Sequence, residues 1–493
     1  MRPPAVLRTP HRLEPDPRRV IAKYYEPSEE LVESREPRVR RLVRRILELP
    51  EDDRAMRARG LLAEFSKRHR DYATILERHY QRVAHHVPDG VEPSTESRLL
   101  IGAYVTHEFS IQAAALLNPS MVPAPDQTGL APGEQRFVMS LRAVGEGHIS
   151  SIEFRSGVVR GASEVTLDPV SRYATLGSLQ TLGYDKHLFG AKLRELGADN
   201  EIAARVLDPL GDGFTLPELE QSLELLSDDG VSPVLAYKTV EFIRWLAMSN
   251  YRVGFGDGTD VSERVIFPIG PSESKGMEDA RFVRFTDDDG STNYYATYTA
   301  FDGYKILPQL IETRDFSSFR IATLNGSCAF NKGMALFPRR IDGRYAALSR
   351  YDRENIDIMF SDNVRFWNSR EQLRVPVWPW ELMQIGNCGS PIETEAGWLV
   401  LTHGVGPMRQ YTIGVILLDL DDPRRVIADL PEPILVADEW EREGYVPNVV
   451  YSCGAMLHDD TLVLPYGFSD AGVGIALAPM ADLLGALLDH PVR

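Results

Sequence analysis

Gly276-Met277-Glu278-Asp279-Ala280-Arg281-Phe282-Val283-Arg284-Phe285 sets two adjacent carboxylates and a guanidinium at the mouth of a strand. The same strand pattern recurs on both sides of it. Asn293 to Thr299, dense in tyrosine, is followed by a second strand over Ile306 to Thr313. Phe137 to Arg142 with His148 to Phe154, Tyr345 to Arg350 with Ile356 to Phe360, Gly397 to His403 with Tyr411 to Leu420, and Thr461 to Tyr466 with Val473 to Ala478 repeat the form. Three of these pairs follow a further strand and a tight turn: Ala335 to Pro338 with Asp342-Gly343, Ser390 to Glu393 with Glu395 to Gly397, and Ala455 to Leu457 with Asp459-Asp460. A strand, a hairpin turn, an aromatic strand and an outer strand at roughly fifty-residue spacing is the signature of a propeller blade. The expected fold class is mainly β, a five-bladed β-propeller over residues 118–493.

Upstream, the period is helical. Residues up to about Asp16 are rich in Pro and Arg and read as an arm ordered on contact or a loose tail. Pro37 precedes a helix over Val39 to Leu49, the acids after Pro50 open another through Ala55 to Arg68, and Tyr72 to Ala84 is a third. A fourth, capped by Ser94, carries Leu99, Leu100, Tyr104, Phe109 and Ile111 towards Leu117. Residues 1–117 are therefore expected to be all-α. Between the first two blades, about 179–248, helical spacing returns at Leu188, Leu193, Ile202, Val206, Leu219, Leu223 and Leu226, and Pro217 after Thr215 starts one of its helices. This reads as a helical insertion, covering a rim or walling a cleft.

Composition excludes several functions. A formal net charge of −17 over 493 residues repels a phosphate backbone, so nucleic acid is not an expected partner. The basic run Arg38, Arg40, Arg41, Arg44 and Arg45 is interleaved with apolar residues and reads as a solvated helix face. Cys328, Cys388 and Cys453 form neither a disulfide framework nor a metal-ligand spacing, and a reducing compartment fits. His79, His85 and His86 lack a complementary acid at fixed spacing and read as surface residues, so no metal is expected. With no signal-peptide core and no apolar run long enough to span a bilayer, the expected location is the cytoplasm, without a membrane partner. Gly254-Phe255-Gly256-Asp257-Gly258 lacks a Lys-Ser/Thr ending and reads as a loop, so no nucleotide cofactor is implied.

One blade position is polar in every repeat: Arg142, Thr299, Arg350, His403 and Tyr466 end the successive aromatic strands. In a closed ring such positions converge at one end of the channel. Glu278, Asp279, Asn331, Lys332 and Gln384, at the start of blades, would lie on the same rim. A carboxylate among Arg142, Arg281, Lys332, Arg350 and His403 is either part of a structural ion-pair ring or an acid beside an anion site. Inverting cleavage of a glycosidic bond needs a general acid and a nucleophile from the opposite face of the sugar. Water would need a carboxylate base, whereas phosphate needs cations to position it. The cation-rich surroundings favour phosphate.

Gly276 to Arg281, Asn331-Lys332 through Leu336-Phe337-Pro338, Leu348-Ser349-Arg350, Gly397 to Gly404, and Tyr466-Gly467 with Asp470 resemble, as an ordered set over roughly Asn118 to Leu484, glycoside hydrolase family 130, the β-mannoside phosphorylases and related mannosidases. The resemblance implies a five-bladed β-propeller with a central site and Asp279 as general acid, acting through a mannose hydroxyl. It places Lys332, Arg350 and His403 on phosphate-binding positions, with Tyr411 an addition. Asn118, Ser120, Arg142 and Asp470 fall on positions that hold the mannosyl unit, and Glu278 would orient Arg281 or a substrate hydroxyl. Ala280 stands where Pro is usual, Lys332 where Arg is common, and Gln384 where a phosphate-contacting Lys is expected. The implied activity is reversible, inverting phosphorolysis of β-mannosides to mannose 1-phosphate and a shortened acceptor, with inorganic phosphate as co-substrate and no cofactor. The partners are a mannoside or oligosaccharide and phosphate, and the helical additions are candidates for self-association. The alternatives are an inverting β-mannosidase with Glu393 or Glu395 as base, and a non-catalytic carbohydrate-binding propeller.

Overall fold

The computed structural model describes residues 6–27, 36–226 and 233–492. Residues 1–5 of the expected N-terminal arm and 227–232 of the expected insertion lie outside the described residues. The protein is mainly β, and its contacts divide it into two compact units. The first comprises residues 1–15, 114–170 and 177–493, and the second comprises residues 16–113 and 171–176.

In the first unit, five four-stranded antiparallel meanders follow one another. The first runs Ala115–Pro123, Glu134–Val144, Ser150–Arg160 and Glu164–Leu167. The second runs Gly276–Thr286, Thr292–Phe301, Ile306–Thr313 and Ser318–Thr323. The third runs Lys332–Leu336, Tyr345–Arg350, Ile356–Ser361 and Glu371–Arg374. In the fourth the first strand is split into Gln384–Asn387 and Ile392–Thr394, ahead of Gly397–Val405, Tyr411–Leu418 and Val426–Asp429. The fifth is split likewise, Val450–Tyr451 and Met456–His458, then Thr461–Phe468 and Gly472–Pro479. Its outer strand is the chain's own Leu7–Leu13.

Alternation gives each sheet two apolar faces, and each face packs on a different neighbour. Val138 and Phe154 of the first meander share a core with Phe282, Tyr294 and Ile311 of the second. Phe285 and Leu310 meet Leu336 and Met359 of the third. Leu348 and Ile358 meet Trp398 and Ile416 of the fourth, whose Leu401 and Val415 meet Leu464 and Ala476 of the fifth. Val463 and Ile475 of the fifth then pack on Phe137 and Met139 of the first.

Between the first and second meanders lie α5 to α8, preceded in the chain by α1 to α4 of the other unit. α5 (Lys186–Glu195) is capped by the Asp185 side chain, α6 (Glu201–Leu207) by Asn200, and α7 (Leu216–Glu224) by a Thr215/Glu218 capping box with Pro217 in its first turn. With α8 (Pro233–Met248) they bury Leu193, Val206, Leu219, Ile243 and Leu246 in one cluster.

The second unit holds α1 (Arg38–Leu47), α2 (Glu51–Phe65), α3 (Tyr72–Val83) and α4 (Thr95–Tyr104). Val39, Val43 and Ile46 face its core, and Arg44 pairs with Glu36 at 2.9 Å, as expected of a solvated basic face. The all-α expectation is corrected here: Val20–Tyr24 pairs antiparallel with Thr106–Ser110. The fourth helix stops at Tyr104 instead of running to Leu117, because β-branched Val105 and Thr106 begin a strand in which Phe109 faces Ile21. His79 also departs from expectation. It is buried, with Nδ1 2.7 Å from Thr106 Oγ1, and burial pushes its pKa down to about 4, so it is neutral.

Of the two readings of the N-terminal arm, Leu7–Leu13 follows the one ordered by contact and not the loose tail. Strand Gly472–Pro479 has an edge whose backbone groups need partners, and the arm supplies them. Pro10 sits within the register shift between Arg8 and Arg12, where a missing N–H breaks no ladder bond. Arg8 pairs with the fully buried Glu441 at 2.8 Å and donates to Val436 O at 2.6 Å. Because breaking a buried pair costs about 3 kcal/mol or more, Arg8→Ala is expected to lower the urea midpoint of unfolding markedly. An unchanged midpoint would show that this strand does not anchor the sheet.

Candidate active site

The first strands of the first three meanders carry the same irregularity. Each has one extra residue against its partner, between Leu117 and Ser120, between Glu278 and Arg281, and between Lys332 and Ala335. The equivalent residue in each bulge has positive φ: Asn118 at 49°, Asp279 at 57° and Gly333 at 84°. Asn and Asp are the non-glycine residues that tolerate this region best. The bulges lift the Asn118 and Asp279 side chains off the sheet and turn them toward one cluster. Ala280, where Pro was expected, is the off-ladder residue of the second bulge, as Pro119 is of the first, so the change removes no ladder bond.

Arg142 is the hub. Its guanidinium donates to Asp279 Oδ1 at 3.2 Å and to Glu278 Oε1 at 2.7 Å, while Nε donates to Ser150 Oγ at 2.9 Å. Lys332 Nζ takes the other oxygen of Glu278 at 2.8 Å, and the Asn118 amide donates to Asp279 Oδ1. Burial raises the Asp279 pKa, but Arg142, Lys332 and Arg281 together with the Asn118 hydrogen bond outweigh it and hold the carboxyl at about 2. Asp470 shows the opposite balance: burial pushes it up, with Arg142 opposing and Asp279 reinforcing. Arg142, Glu278 and Asp470 line a cavity of about 440 Å³ with Leu117 and His148, within the roughly 300–1,000 Å³ typical of small-molecule sites.

A second group lies on the third and fourth meanders. Arg350 is the cross-strand partner of Lys332, and its Nη1 is 3.0 Å from His403 Nε2. A guanidinium only donates, so His403 Nε2 accepts. Burial and the charges of Arg350 and Arg281 lower the His403 pKa well below its usual value, and the ring is neutral. Tyr411 stacks on it at 6.2 Å between centroids. Gly386 lets these groups approach, since a Cβ there would lie 2.4 Å from His403 Cε1 and 2.9 Å from Arg350 Cδ. Gln384, half-buried, is on the same face of its strand as Gly386. Arg350 Nε is buried without a hydrogen-bond partner.

Several expectations are corrected. Glu278 does not orient Arg281; it bridges Arg142 and Lys332. Arg281 is buried and donates to Tyr451 OH at 2.6 Å, a residue of the split fifth inner strand. Ser120 is fully buried and its Oγ accepts from Phe282 N at 3.0 Å, tying two meanders instead of facing the cavity. Tyr466 gives its hydroxyl to Glu441 at 2.6 Å, far from the acid cluster in role although equivalent in strand position. Glu393 is held by Arg339 at 2.7 Å and, like Glu395, is exposed. Its strand partner Trp398 is five residues along the strand from His403, roughly 17 Å. The sequence reading missed Tyr451 because Val450-Tyr451 is too short to show alternation; the split at Gln384–Asn387 is the pattern that locates it.

The Glyco_hydro_130 family model, described as beta-1,4-mannooligosaccharide phosphorylase, matches residues 250–488. A 1,2-beta-oligomannan phosphorylase of Thermoanaerobacter sp. (strain X514) is 37% identical over 219 residues, which are 43% of this chain and 71% of that protein. The chain belongs to glycoside hydrolase family 130. A beta-1,2-mannobiose phosphorylase of Listeria innocua is 31% identical over 230 residues, 45% of this chain and 63% of the relative. The solved complex of the Listeria innocua beta-1,2-mannobiose phosphorylase with beta-1,2-mannobiose aligns over 77% of this chain and 93% of that one, at 23% identity and a TM-score of 0.46. α1 to α8 precede the stretch matched by the family 130 model.

The folded-state pKa of Asp279 lies below the ordinary aspartate value of about 3.9, so its ionisation stabilises the fold above about pH 4 and that contribution is lost as the pH falls toward about 2. The stability difference between wild type and Asp279→Asn is therefore expected to be flat from pH 5 to 8 and to shift against wild type below about pH 4. Urea midpoints across that range measure it; a slope near neutrality would contradict the charge balance described.

Proposed function

We propose that this chain is an inverting glycoside phosphorylase, cleaving β-mannosides with inorganic phosphate and, in reverse, building them from mannose 1-phosphate. The carrying observation is the pairing of one largely buried acid with an adjoining pair of cations. Asp279 lies among Arg142, Asn118 and Glu278, while Lys332 and Arg350 stand cross-strand beside it and Arg350 keeps a buried unpartnered Nε. The family 130 relatives named above, which are mannoside phosphorylases, support the same reading.

In this reading the mannosyl unit sits in the cavity beside Arg142 and Asp470, and phosphate lies against Lys332 and Arg350 with Gln384 at its edge. A phosphate oxygen bonds to the anomeric carbon as the glycosidic bond breaks on the opposite face, giving the inverted sugar phosphate. Asp279 supplies the proton that reaches the leaving oxygen by way of a mannose hydroxyl, and ends as the carboxylate. Its low pKa makes the proton unavailable while the cations are uncompensated. Phosphate, bringing negative charge to Lys332 and Arg350, raises that pKa and couples acid strength to the presence of the nucleophile. Neutral His403, packed by Tyr411, holds the Arg350 fork instead of contributing a charge. Glu393 and Glu395, the candidate bases for hydrolysis, are engaged or exposed away from this acid, which favours phosphorolysis.

The five meanders are, in this proposal, the blades of a five-bladed propeller whose axis carries the site. Two features support it: the successive inter-sheet cores return from the fifth sheet to the first, and every sheet contributes a residue to the linked cluster. The buried free thiols Cys328, Cys388 and Cys453 support a reducing, cytoplasmic setting; among the described residues no helix is long and apolar enough to cross a membrane.

Incubation with a β-mannoside panel and phosphate, followed by ³¹P NMR, is expected to show mannose 1-phosphate only when phosphate is present. Equal release of free mannose without phosphate would overturn the proposal. Asp279→Asn, which keeps the left-handed backbone accessible, is expected to lose at least ~10³-fold in kcat. Arg350→Ala is expected to raise KM for phosphate about tenfold or more while leaving KM for the mannoside within about twofold.

A further inference from the structure

The turn Phe301 to Lys305 has two sides. Phe301 and Gly303 line the cavity that holds Arg142 and Glu278. Asp302 and Tyr304 line a separate groove of about 750 Å³ whose other wall is α8, with Tyr237, Phe242 and Trp245. The turn is fixed from both ends. Asp302 Oδ1 accepts from Tyr304 N at 2.8 Å and Lys305 N at 2.7 Å, and Lys275 N donates to Phe301 O at 2.9 Å. Gly303, at φ 100°, brings the turn against the stem of Lys275.

Resting on the phosphorylase reading, we propose that this groove is a distal sugar subsite. It takes the far residues of a β-mannan oligosaccharide whose reacting residue occupies the cavity across the turn. Three observations argue for this occupant. The groove adjoins the reaction cavity, the two lying on opposite sides of one five-residue turn, so an oligosaccharide that crosses the turn reaches from one to the other. Its surface combines aromatic rings with polar side chains of both signs, Glu241 and Asp302 against Lys238 and Lys305; that mixture suits an uncharged polyol, whose C–H faces stack on rings while its hydroxyls hydrogen-bond. Finally, Tyr304 and Tyr237 are 96% and 70% exposed, rings held out to solvent on an ordered turn and helix. α8 lies outside residues 250–488, so this wall is an addition to the family-matched region, and it makes the enzyme selective for longer chains.

The test compares kcat/KM for phosphorolysis of a β-linked mannose disaccharide and a hexasaccharide in wild type, Tyr304→Ala and Tyr237→Ala. Both substitutions trim exposed rings. Wild type is expected to favour the hexasaccharide, and each variant to lose about tenfold on it and less than about twofold on the disaccharide. Equal losses on both substrates, or none, overturn the subsite. So does a change in sedimentation of the variants with the length preference intact, which would make the groove a contact between copies of the chain. If wild type releases no mannose 1-phosphate from either sugar, the phosphorylase reading fails, and calorimetry then decides the groove separately: hexasaccharide affinity weakened about tenfold in Tyr304→Ala supports it, and unchanged affinity refutes it.

Discussion

Arg142 cannot lose its charge at any pH at which the fold survives, and it is largely buried. The site is built around that constraint. A guanidinium in a low-dielectric setting requires carboxylates on its fork, and Glu278 and Asp279 meet it as neighbours in one strand. Glu278 is then committed on both oxygens, to Arg142 and Lys332, whereas Asp279 takes Arg142 and Asn118 on Oδ1. The division of labour between two adjacent acids thus comes from geometry: one is used to fix cations, the other is positioned by them.

Backbone makes this possible. An unbulged strand would alternate its side chains between two apolar cores, with no direction left for an acid. The one-residue bulges at Asn118, Asp279 and Gly333 supply a third direction, at a cost in left-handed conformation of roughly 1–2 kcal/mol for each non-glycine residue. The packed cores on both faces of every sheet offset that cost. Chemistry and architecture are therefore linked at particular residues: the register that aligns Phe282 and Tyr294 in the core also sets where Asp279 leaves the sheet.

What the sequence revealed follows the same logic. The aromatic strands were legible because alternating burial imposes period two on residues such as Tyr294, Ala296 and Tyr298. Asp279, Lys332, Arg350 and His403 were legible because their strand positions repeat. Glu278's partners were not, since a bulge changes which neighbours a side chain meets without leaving a mark in the pattern. That the N-terminal arm orders on contact was one of two readings, but that Leu7–Leu13 is a strand was hidden, because an edge strand with arginines and Pro10 has the composition of a tail; its pairing is decided by an edge more than four hundred residues away. His79 read as surface because it sits beside His85 and His86, yet helical phase alone turns it inward.

That distant pairing has a temporal side. Leu7 is opposite Leu477, so this strand is made well before its partner. At ~5–20 residues per second of synthesis, roughly half a minute or more separates the two. Throughout that interval the arm has no partner strand to join. Leu7–Leu13 is well suited to the wait: Arg8, Arg12 and Pro10 keep a solitary strand soluble and discourage pairing with a foreign edge. Closing this sheet edge thus depends on two segments that are made far apart in time.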